Sequence, residues 1–341
     1  MFEQKNDKPR PPRRPVFAAN PTPARKVAEG AMLVATAVIF GLSAAYLPLL
    51  WVVAMFLWPI PLALLVRRFG PGFGLVGIGV TAVLLSLFMG PLGALSILIN
   101  MGGVGFWYGY AARKNINPAL VLVLGVVLAA VSIVVLTALS ALVAGFELAD
   151  FGAQIHDMVQ FYVTTMQENG NLQPLLGDMT VEEYAAAMEE AALKMVPASL
   201  VMVAMFEAVL AYALNSYVFR RLGYPVAKLP PFNEWRLPWY TLWGLIIALG
   251  CALGYQQTEL PIFELIGDNV LYIYQPLLLL AGLSIFYWLA YFWQMPWLVY
   301  TMLIMVLFAF NFVGPILVLL GFADSIFDIR SIMRGRQQRN Y

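Results

Sequence analysis

Charged residues, histidine and cysteine are scarce in this chain of 341 residues, of which only 11% are Asp, Glu, Lys or Arg. The one histidine, His156, excludes a metal site built from several histidines, and the one cysteine, Cys251, excludes an intramolecular disulfide. The sequence has neither a G-x-x-x-x-G-K-S/T nor an H-E-x-x-H pattern, the usual signals of an ATPase or a zinc protease. We therefore expect no enzyme activity, no cofactor and no bound metal. The net charge of +1 gives no reason to expect a nucleic-acid partner.

Hydrophobic residues make up 61% of the chain, whereas soluble domains average about 45–50%. A soluble protein of this length cannot bury so much apolar surface, so the excess must face lipid. The sequence therefore predicts an all-α, polytopic transmembrane helix bundle in a lipid bilayer. Apolar runs of about the length that crosses a bilayer occur at residues 28–46, 48–66, 73–89, 92–112, 118–146, 195–219, 239–255, 271–293 and 298–323.

Two glycine–proline pairs bear on how these runs are folded. Gly90-Pro91 predicts a tight turn between the third and fourth runs. Gly314-Pro315 lies inside the last run, where it is compatible with a break or a re-entrant hairpin. We expect eight or nine spans.

The basic residues indicate how the chain is oriented. Of the twenty Lys and Arg, all but Lys194 lie in the two terminal tails or at 67–68, 113–114 and 220–236. Because basic loops stay on the cytoplasmic side, we expect a bacterial cytoplasmic-membrane protein with its N-terminus inside. The stretch 147–193, which is acidic and has no Lys or Arg, is then outside. Its apolar spacing predicts two amphipathic helices on the outer face.

A capping box marks the second of these outer helices. Thr180 and Glu183 form the T-x-x-E pattern that opens a helix, here predicted over 181–194. Taken together, the runs and loops predict five segments. They are a disordered basic tail over 1–27, a six-span core over 28–222, a Pro/Trp-rich cytoplasmic linker over 223–238, a membrane extension of two or three spans over 239–324, and a basic tail over 325–341.

Glu207 is the most prominent candidate for chemistry, because it lies in the middle of the apolar run 195–219. An ionised carboxylate at the centre of a bilayer costs several kcal/mol, so Glu207 must face the bundle interior, find a partner or be protonated. One interpretation is a cavity that binds a polar or cationic solute, lined by Glu207, Asn100 and Asn215. The other is a neutral Glu207 that fixes helix packing through a hydrogen bond to Asn100, Asn215 or Asn311.

Two further features suggest protein partners. Ala31 and Ala35 in the first run have the four-residue spacing of small residues that allows another helix to approach closely, which is either a helix of the same chain or one of a partner protein. The linker contains Lys228, Trp235 and Arg236 among several prolines, which predicts either a rigid interfacial connection or a docking site for a cytoplasmic protein.

Four motifs resemble those of the YybS-like family of bacterial membrane proteins. They are P-A-S-L at 197–200, N-S-Y-V-F-R-R-L-G-Y at 215–224, L-P-P-F-N-E-W-R-L-P at 229–238 and G-F-A-D-S-I-F-D-I-R at 321–330. The resemblance covers nearly the whole chain and implies membrane embedding. It implies no particular chemistry.

The first 220 residues are also similar in layout to the substrate-binding S components of energy-coupling-factor transporters. That resemblance implies six spans, a solute pocket closed by outer loops, and docking of a coupling subunit on the face of Ala31 and Ala35. The C-terminal runs have no counterpart in such subunits, so the usual energising partners do not follow. We expect solute binding or transport, with a membrane scaffold for an envelope or sporulation complex as the alternative.

Overall fold

The structure is a computed structural model that describes residues 22–47, 57–144, 148–227 and 229–339. The described residues form helices and turns with no strand among them, which confirms the predicted all-α class. In chain order the helices are α1 Pro23–Tyr46, α2 Pro59–Phe69, α3 Pro71–Ile97, α4 Gly103–Lys114, α5 Pro118–Ala144, α6 Leu148–Glu168, α7 Gln173–Leu176, α8 Val181–Lys194, α9 Val196–Arg221, α10 Leu242–Thr258, α11 Pro261–Phe292, α12 Trp297–Phe308, α13 Phe310–Phe327 and α14 Ile329–Arg339. A π-helical turn, Leu98–Gly102, joins α3 to α4.

The first helix begins inside the segment that was predicted as a tail. Thr22 precedes it as the N-cap, its hydroxyl accepts a hydrogen bond from the Arg25 amide at 3.4 Å, and Pro23 fills the first helical position. Both residues are favoured at these positions because they leave fewer backbone amides unpaired. Residues 1–21 lie outside the described residues.

Five helical segments of the described chain are long and apolar enough to cross a membrane. They number up to six if α13 and α14, which are bent by 64° at Asp328, count as one broken span. One of the five, Pro71–Lys114, is 44 residues long. The count of eight or nine spans stays a prediction.

The 44-residue segment doubles back on itself at Gly90. Gly90 has φ 76° and ψ 166°, a conformation that glycine adopts readily, and Pro91 follows it. A Cβ added at Gly102 would lie 3.6 Å from Ile78 Cγ2, whereas a straight helix would separate these residues by about 36 Å. The tight turn predicted at Gly90-Pro91 is therefore confirmed.

The described chain divides into two compact units. Unit 1 contains the residues before 147 together with 203–229, and unit 2 contains 147–202 together with the residues from 230 onward. The division falls within α9, between Met202 and Val203. The boundaries of the five predicted segments stay predictions.

Close contact between α2 and α4 forms the interior of unit 1. Gly105 and Gly109 of α4 lie so near to α2 that an added Cβ would be 2.9 Å from the Pro59 carbonyl oxygen and 2.3 Å from that of Ala63. Only glycine permits this approach, which brings two backbones into van der Waals contact. Tyr108 of the same helix is buried, and its hydroxyl donates to the Ala208 carbonyl of α9 at 2.7 Å.

In unit 2, helices α6 and α8 pack through a small apolar cluster. Ile155, Val159 and Val163 of α6 meet Ala185 of α8 and their neighbours. The Thr180 capping box is present, with both of its reciprocal hydrogen bonds, so this prediction is confirmed. That the two helices are amphipathic and lie on the outer face stays a prediction.

A second glycine contact brings α11 and α13 together in unit 2. A Cβ added at Gly282 would lie 1.9 Å from the Leu317 carbonyl oxygen, and one at Gly321 would lie 2.2 Å from that of Leu278. The last apolar run is interrupted at Ala309, which has φ −131° and ψ 37°, rather than at Gly314-Pro315. Pro315 lies in the second turn of α13. Because proline has no backbone N–H, the helix lacks one hydrogen bond near its start.

Candidate functional site

The two polar residues predicted in α9 both lie on its buried face. Glu207 is 4% exposed and Asn215 is 2% exposed. The Asn215 side-chain amide donates to the Ala211 carbonyl at 2.8 Å, whereas its oxygen has no hydrogen-bond partner in the part of the chain that the structure describes. Glu207 Oε1 also has none, and within the described chain Glu207 makes no hydrogen bond to Asn100, Asn215 or Asn311. The packing interpretation of Glu207 therefore lacks the bond on which it was based.

A cavity beside Asn215 is too small for a solute. Its volume is about 20 Å³, and Tyr108, Tyr212, Asn215 and Ser216 contribute to its wall. A water molecule needs roughly 10–15 Å³ of such space and two or more polar partners. The cavity therefore suits one water molecule, which would satisfy the Asn215 side-chain oxygen.

A larger cavity adjoins the third predicted residue, Asn100. It has a volume of about 290 Å³, and we call it the Asn100 cavity. Its wall consists of Gly41, Ala44, Ala45, Trp58, Ser96, Ile97, Asn100, Met101 and Leu136. All of these belong to unit 1, and none is charged. Small residues of α1 line one side of the cavity, and the π-helical turn that contains Asn100 lines another side.

Among the described residues, two polar atoms of this wall find no hydrogen-bond partner. They are the indole nitrogen of Trp58, a donor, and the side-chain oxygen of Asn100, an acceptor, and both are shielded from solvent. Trp58 as a whole is 1% exposed. Leaving a buried donor or acceptor unpaired costs about 1–3 kcal/mol. An unpaired donor and an unpaired acceptor on two residues that line one cavity therefore mark it as a candidate ligand site.

The structure thus brings Asn100 together with Trp58, which the sequence did not single out, and not with Glu207. Glu207 contributes to the wall of neither cavity described above. Sequence patterns could not show that Trp58 is part of the site, because an indole in an apolar run ordinarily indicates only membrane depth.

The predicted docking residues of α1 are exposed. Ala31 and Ala35 lie on the surface, whereas Val34 and Val38 face the interior of unit 1. Contact with another protein at this surface stays a prediction.

The linker is held firmly by residues of unit 2. Lys228 lies outside the described residues, Trp235 is half-buried, and Arg236 is exposed and pairs with Asp328 at 2.7 Å. The guanidinium of buried Arg330 donates to the Asn233 carbonyl and, at 2.9 Å, to the Trp235 carbonyl.

Two further groups take part in these contacts, and we call the whole set, Arg330 with Asn233, Trp235, Ser284 and Asp324, the Arg330 clamp. The Ser284 hydroxyl donates to the Trp235 carbonyl at 2.7 Å and accepts from Arg330 Nη2 at 3.1 Å. Asp324, which is almost fully buried, pairs with Arg330 Nε at 3.1 Å. The motifs at 229–238 and 321–330 are therefore in direct contact, although Arg330 had been assigned only to a basic tail.

No group of three or more His, Cys, Asp or Glu side chains that could hold a metal ion occurs among the described residues. The fold, with several apolar helices that expose their hydrophobic side chains, defines an α-helical integral membrane protein.

Comparison with known proteins agrees with this class. The chain belongs to the family described as predicted membrane protein DUF2232, whose sequence profile matches residues 34–325. It is also similar to the uncharacterized protein YybS of Bacillus subtilis (strain 168), with 22% identity over 215 residues, which cover 63% of this chain and 68% of that protein. No solved structure matches the chain. The similarity in layout to S components stays a prediction.

Proposed function

We propose that the chain binds a small solute in the Asn100 cavity as a substrate-binding membrane protein. The observation that carries the proposal is the unpaired donor of Trp58 and the unpaired acceptor of Asn100 in the wall of one cavity. The proposed solute carries a hydroxyl or carboxamide, which accepts a hydrogen bond from the Trp58 indole and donates one to the Asn100 side-chain oxygen.

The composition of the wall indicates the chemical class of this solute. Apolar groups dominate it and no charged side chain is present, so a neutral solute with an apolar body fits best. The volume of about 290 Å³ is close to the lower end of the range for pockets that hold small molecules, about 300–1,000 Å³. An ionic solute would be desolvated there without a counter-charge.

Transport of this solute would require a partner protein, because the sequence has no nucleotide-binding motif. Helix α1 offers a route for such coupling, since it lines the cavity through Gly41 and Ala44 and exposes Ala31 and Ala35 nearer to its N-terminus. A coupling subunit that docked at Ala31 and Ala35 would contact the helix that forms one wall of the site.

A membrane scaffold is the second candidate function. It is favoured by the glycine contacts that fill the α2–α4 interface and by the rigid linker that Arg330 clamps. A scaffold needs no solute, so the two proposals differ in what co-purifies with the protein.

The orientation that we propose has the N-terminus and the basic loops in the cytoplasm, with eight or nine spans in the cytoplasmic membrane. Membrane-impermeant labelling of single cysteines, introduced at Gln167 and at Lys114 in a Cys251→Ser background, tests it. We expect labelling from outside at residue 167 and protection at residue 114. The reverse pattern would invert the proposed orientation.

Co-purification tests the solute proposal. The protein is purified in mild detergent and the bound small molecules are identified by mass spectrometry, for the wild type and for Ala44→Phe. Phenylalanine at this position would fill part of the cavity, so we expect the solute to be lost. Ala35→Phe, the same change at an exposed position of the same helix, is the matched control and should retain it. Absence of a small molecule in the wild type, or equal retention by Ala44→Phe, would favour the scaffold.

A further inference from the structure

A polar cleft lies between the linker and the C-terminal helix of unit 2. We call it the linker cleft. It has a volume of about 540 Å³, and its wall consists of Glu234, Arg236, Asp328, Arg330, Ser331, Arg334 and Gly335. It is thus built from the two motifs at 229–238 and 321–330 and from the first turns of α14.

Most of the charges in the linker cleft are already paired. Arg236 pairs with Asp328 at 2.7 Å, and Arg330 pairs with Asp324, which lies behind the wall. Arg334 and Glu234 are the exceptions among the described residues. The Arg334 guanidinium lies 5.6 Å from the Trp288 ring centroid, and it has no ion pair with a carboxylate among the described residues. The remaining carboxylate, Glu234, is exposed and is part of the short 3₁₀ turn Phe232–Glu234.

The surroundings of the linker cleft are those of a membrane interface. The apolar helix α13 ends at Phe327, and α14 leaves it at an angle of 64°, so α14 would run nearly along the surface of a bilayer that α13 entered. Phe327 is 63% exposed and Ile332 is 48% exposed, so apolar surface lies beside the arginines. In the same unit Trp239 is exposed, as is usual for residues at the depth of lipid head groups.

We propose that the linker cleft binds the head group of an anionic phospholipid, with the phosphodiester at Arg334 and Arg236. Arg334 supplies a cation without a carboxylate partner, and the exposed Arg236 contributes donors beside its pair with Asp328. Arginine is well suited to this role because its guanidinium donates two parallel hydrogen bonds to phosphate oxygens. Arg330 stays in its clamp and shapes the floor of the cleft.

A lipid is favoured over a soluble phosphate ester because the exposed Phe327 and Ile332, which do not line the cleft themselves, are adjacent in the chain to its wall residues Asp328 and Ser331. Phe327 and Ile332 would contact acyl chains of a lipid whose head group lies at Arg334, whereas a soluble anion would leave both apolar side chains uncovered. The sequence of α14 continues with Arg336 and Arg339 and contains no acidic residue, so the helix favours an anionic membrane.

Binding of short-chain phosphatidylglycerol to the detergent-purified full chain tests the proposal, with phosphatidylcholine and inorganic phosphate as the other probes. Native mass spectrometry gives the affinities. We expect phosphatidylglycerol to bind more tightly than phosphatidylcholine. Arg334→Gln should weaken it about fivefold, the effect of one basic residue near a membrane surface.

Two variants make this result specific. Lys114→Gln removes the same charge from an exposed residue of unit 1 and should leave the affinity unchanged. Arg334→Lys keeps the charge and should retain most of the binding. Equal binding of the two lipids, or equal effects of Arg334→Gln and Lys114→Gln, would overturn the proposal. Competition by inorganic phosphate at the concentrations at which the lipid binds would assign the cleft to a soluble anion and overturn the lipid assignment.

Discussion

Removing the Arg330 side chain should destabilise unit 2 strongly. Arg330 is 5% exposed, it donates to the backbone of the linker at Asn233 and Trp235, and it pairs with Asp324, which is 2% exposed. Replacement by methionine keeps a side chain of similar length. It leaves the Asp324 carboxylate buried without a cation and two linker carbonyls without their donor.

The magnitude follows from this geometry. Removing one partner of a buried ion pair typically costs about 3–5 kcal/mol, because the other charge stays buried and uncompensated. In a domain of the size of unit 2, each kcal/mol lowers the melting temperature by roughly 2–4 °C. We therefore expect Arg330→Met to lower the melting temperature of the detergent-purified protein by about 6–20 °C, measured by circular dichroism or by the loss of soluble protein on heating.

Two comparisons make the result decisive. Arg334→Met changes an exposed arginine four residues further along α14 and should shift stability by no more than about 0.5 kcal/mol. The double variant Arg330→Met, Asp324→Leu removes both charges and should recover much of the lost stability, since replacing a whole buried pair is often nearly neutral. If Arg330→Met were no worse than Arg334→Met, or if the double variant were less stable than the single one, the clamp would not stabilise the linker.

Two further predictions concern unit 1 and the helices α6 and α8. Gly109→Ala places a Cβ 2.3 Å from the Ala63 carbonyl oxygen and should destabilise the protein by about 1–3 kcal/mol in a thermal melt. Gly103→Ala in the same helix meets no atom within 4 Å and should be neutral or stabilising, so equal losses would refute the close α2–α4 contact. The hydrogen bond from His156 to Glu189, at 2.8 Å, raises the pKa of the imidazole above its ordinary value. Its stabilisation is therefore complete in acid, below the pKa of the unfolded chain, and is lost as the pH rises through the raised pKa of the folded state. Melting temperatures of wild type and His156→Gln, measured from about pH 5 to about pH 9, should differ most in acid and converge in alkali. A difference in melting temperature that widens as the pH rises would contradict the stabilising His156–Glu189 contact.

Local signals predicted local features of this molecule well. The apolar excess indicated a helical membrane protein, Gly90-Pro91 indicated the turn at which α3 reverses, and Thr180 with Glu183 indicated the start of α8. Each of these depends on residues within a few positions of one another. A sequence pattern reports such short-range physics directly.

The Arg330 clamp was missed because its partners are far away in sequence. Arg330 lies 95 residues from Trp235 and 46 from Ser284. In the sequence it is one of four arginines near the C-terminus, and only the packing of α13 against α11 shows that it is buried while Arg334 is not.

The candidate site was predicted only in part for the same reason. Asn100 was recognised because an amide at membrane depth needs a partner. Its grouping with Glu207 assumed that polar residues in different helices face a common centre. The structure instead places Asn100 beside Trp58 and the small residues of α1, and it leaves Glu207 on a closely packed face of α9.

The measurement that tests the proposed function most directly is an experimental density map of the protein purified from its native membrane. We predict density that belongs to no part of the chain in the Asn100 cavity, within hydrogen-bonding distance of the Trp58 indole nitrogen and the Asn100 side chain. A map in which side chains of the protein fill the cavity and pair with both of these groups would contradict the proposal.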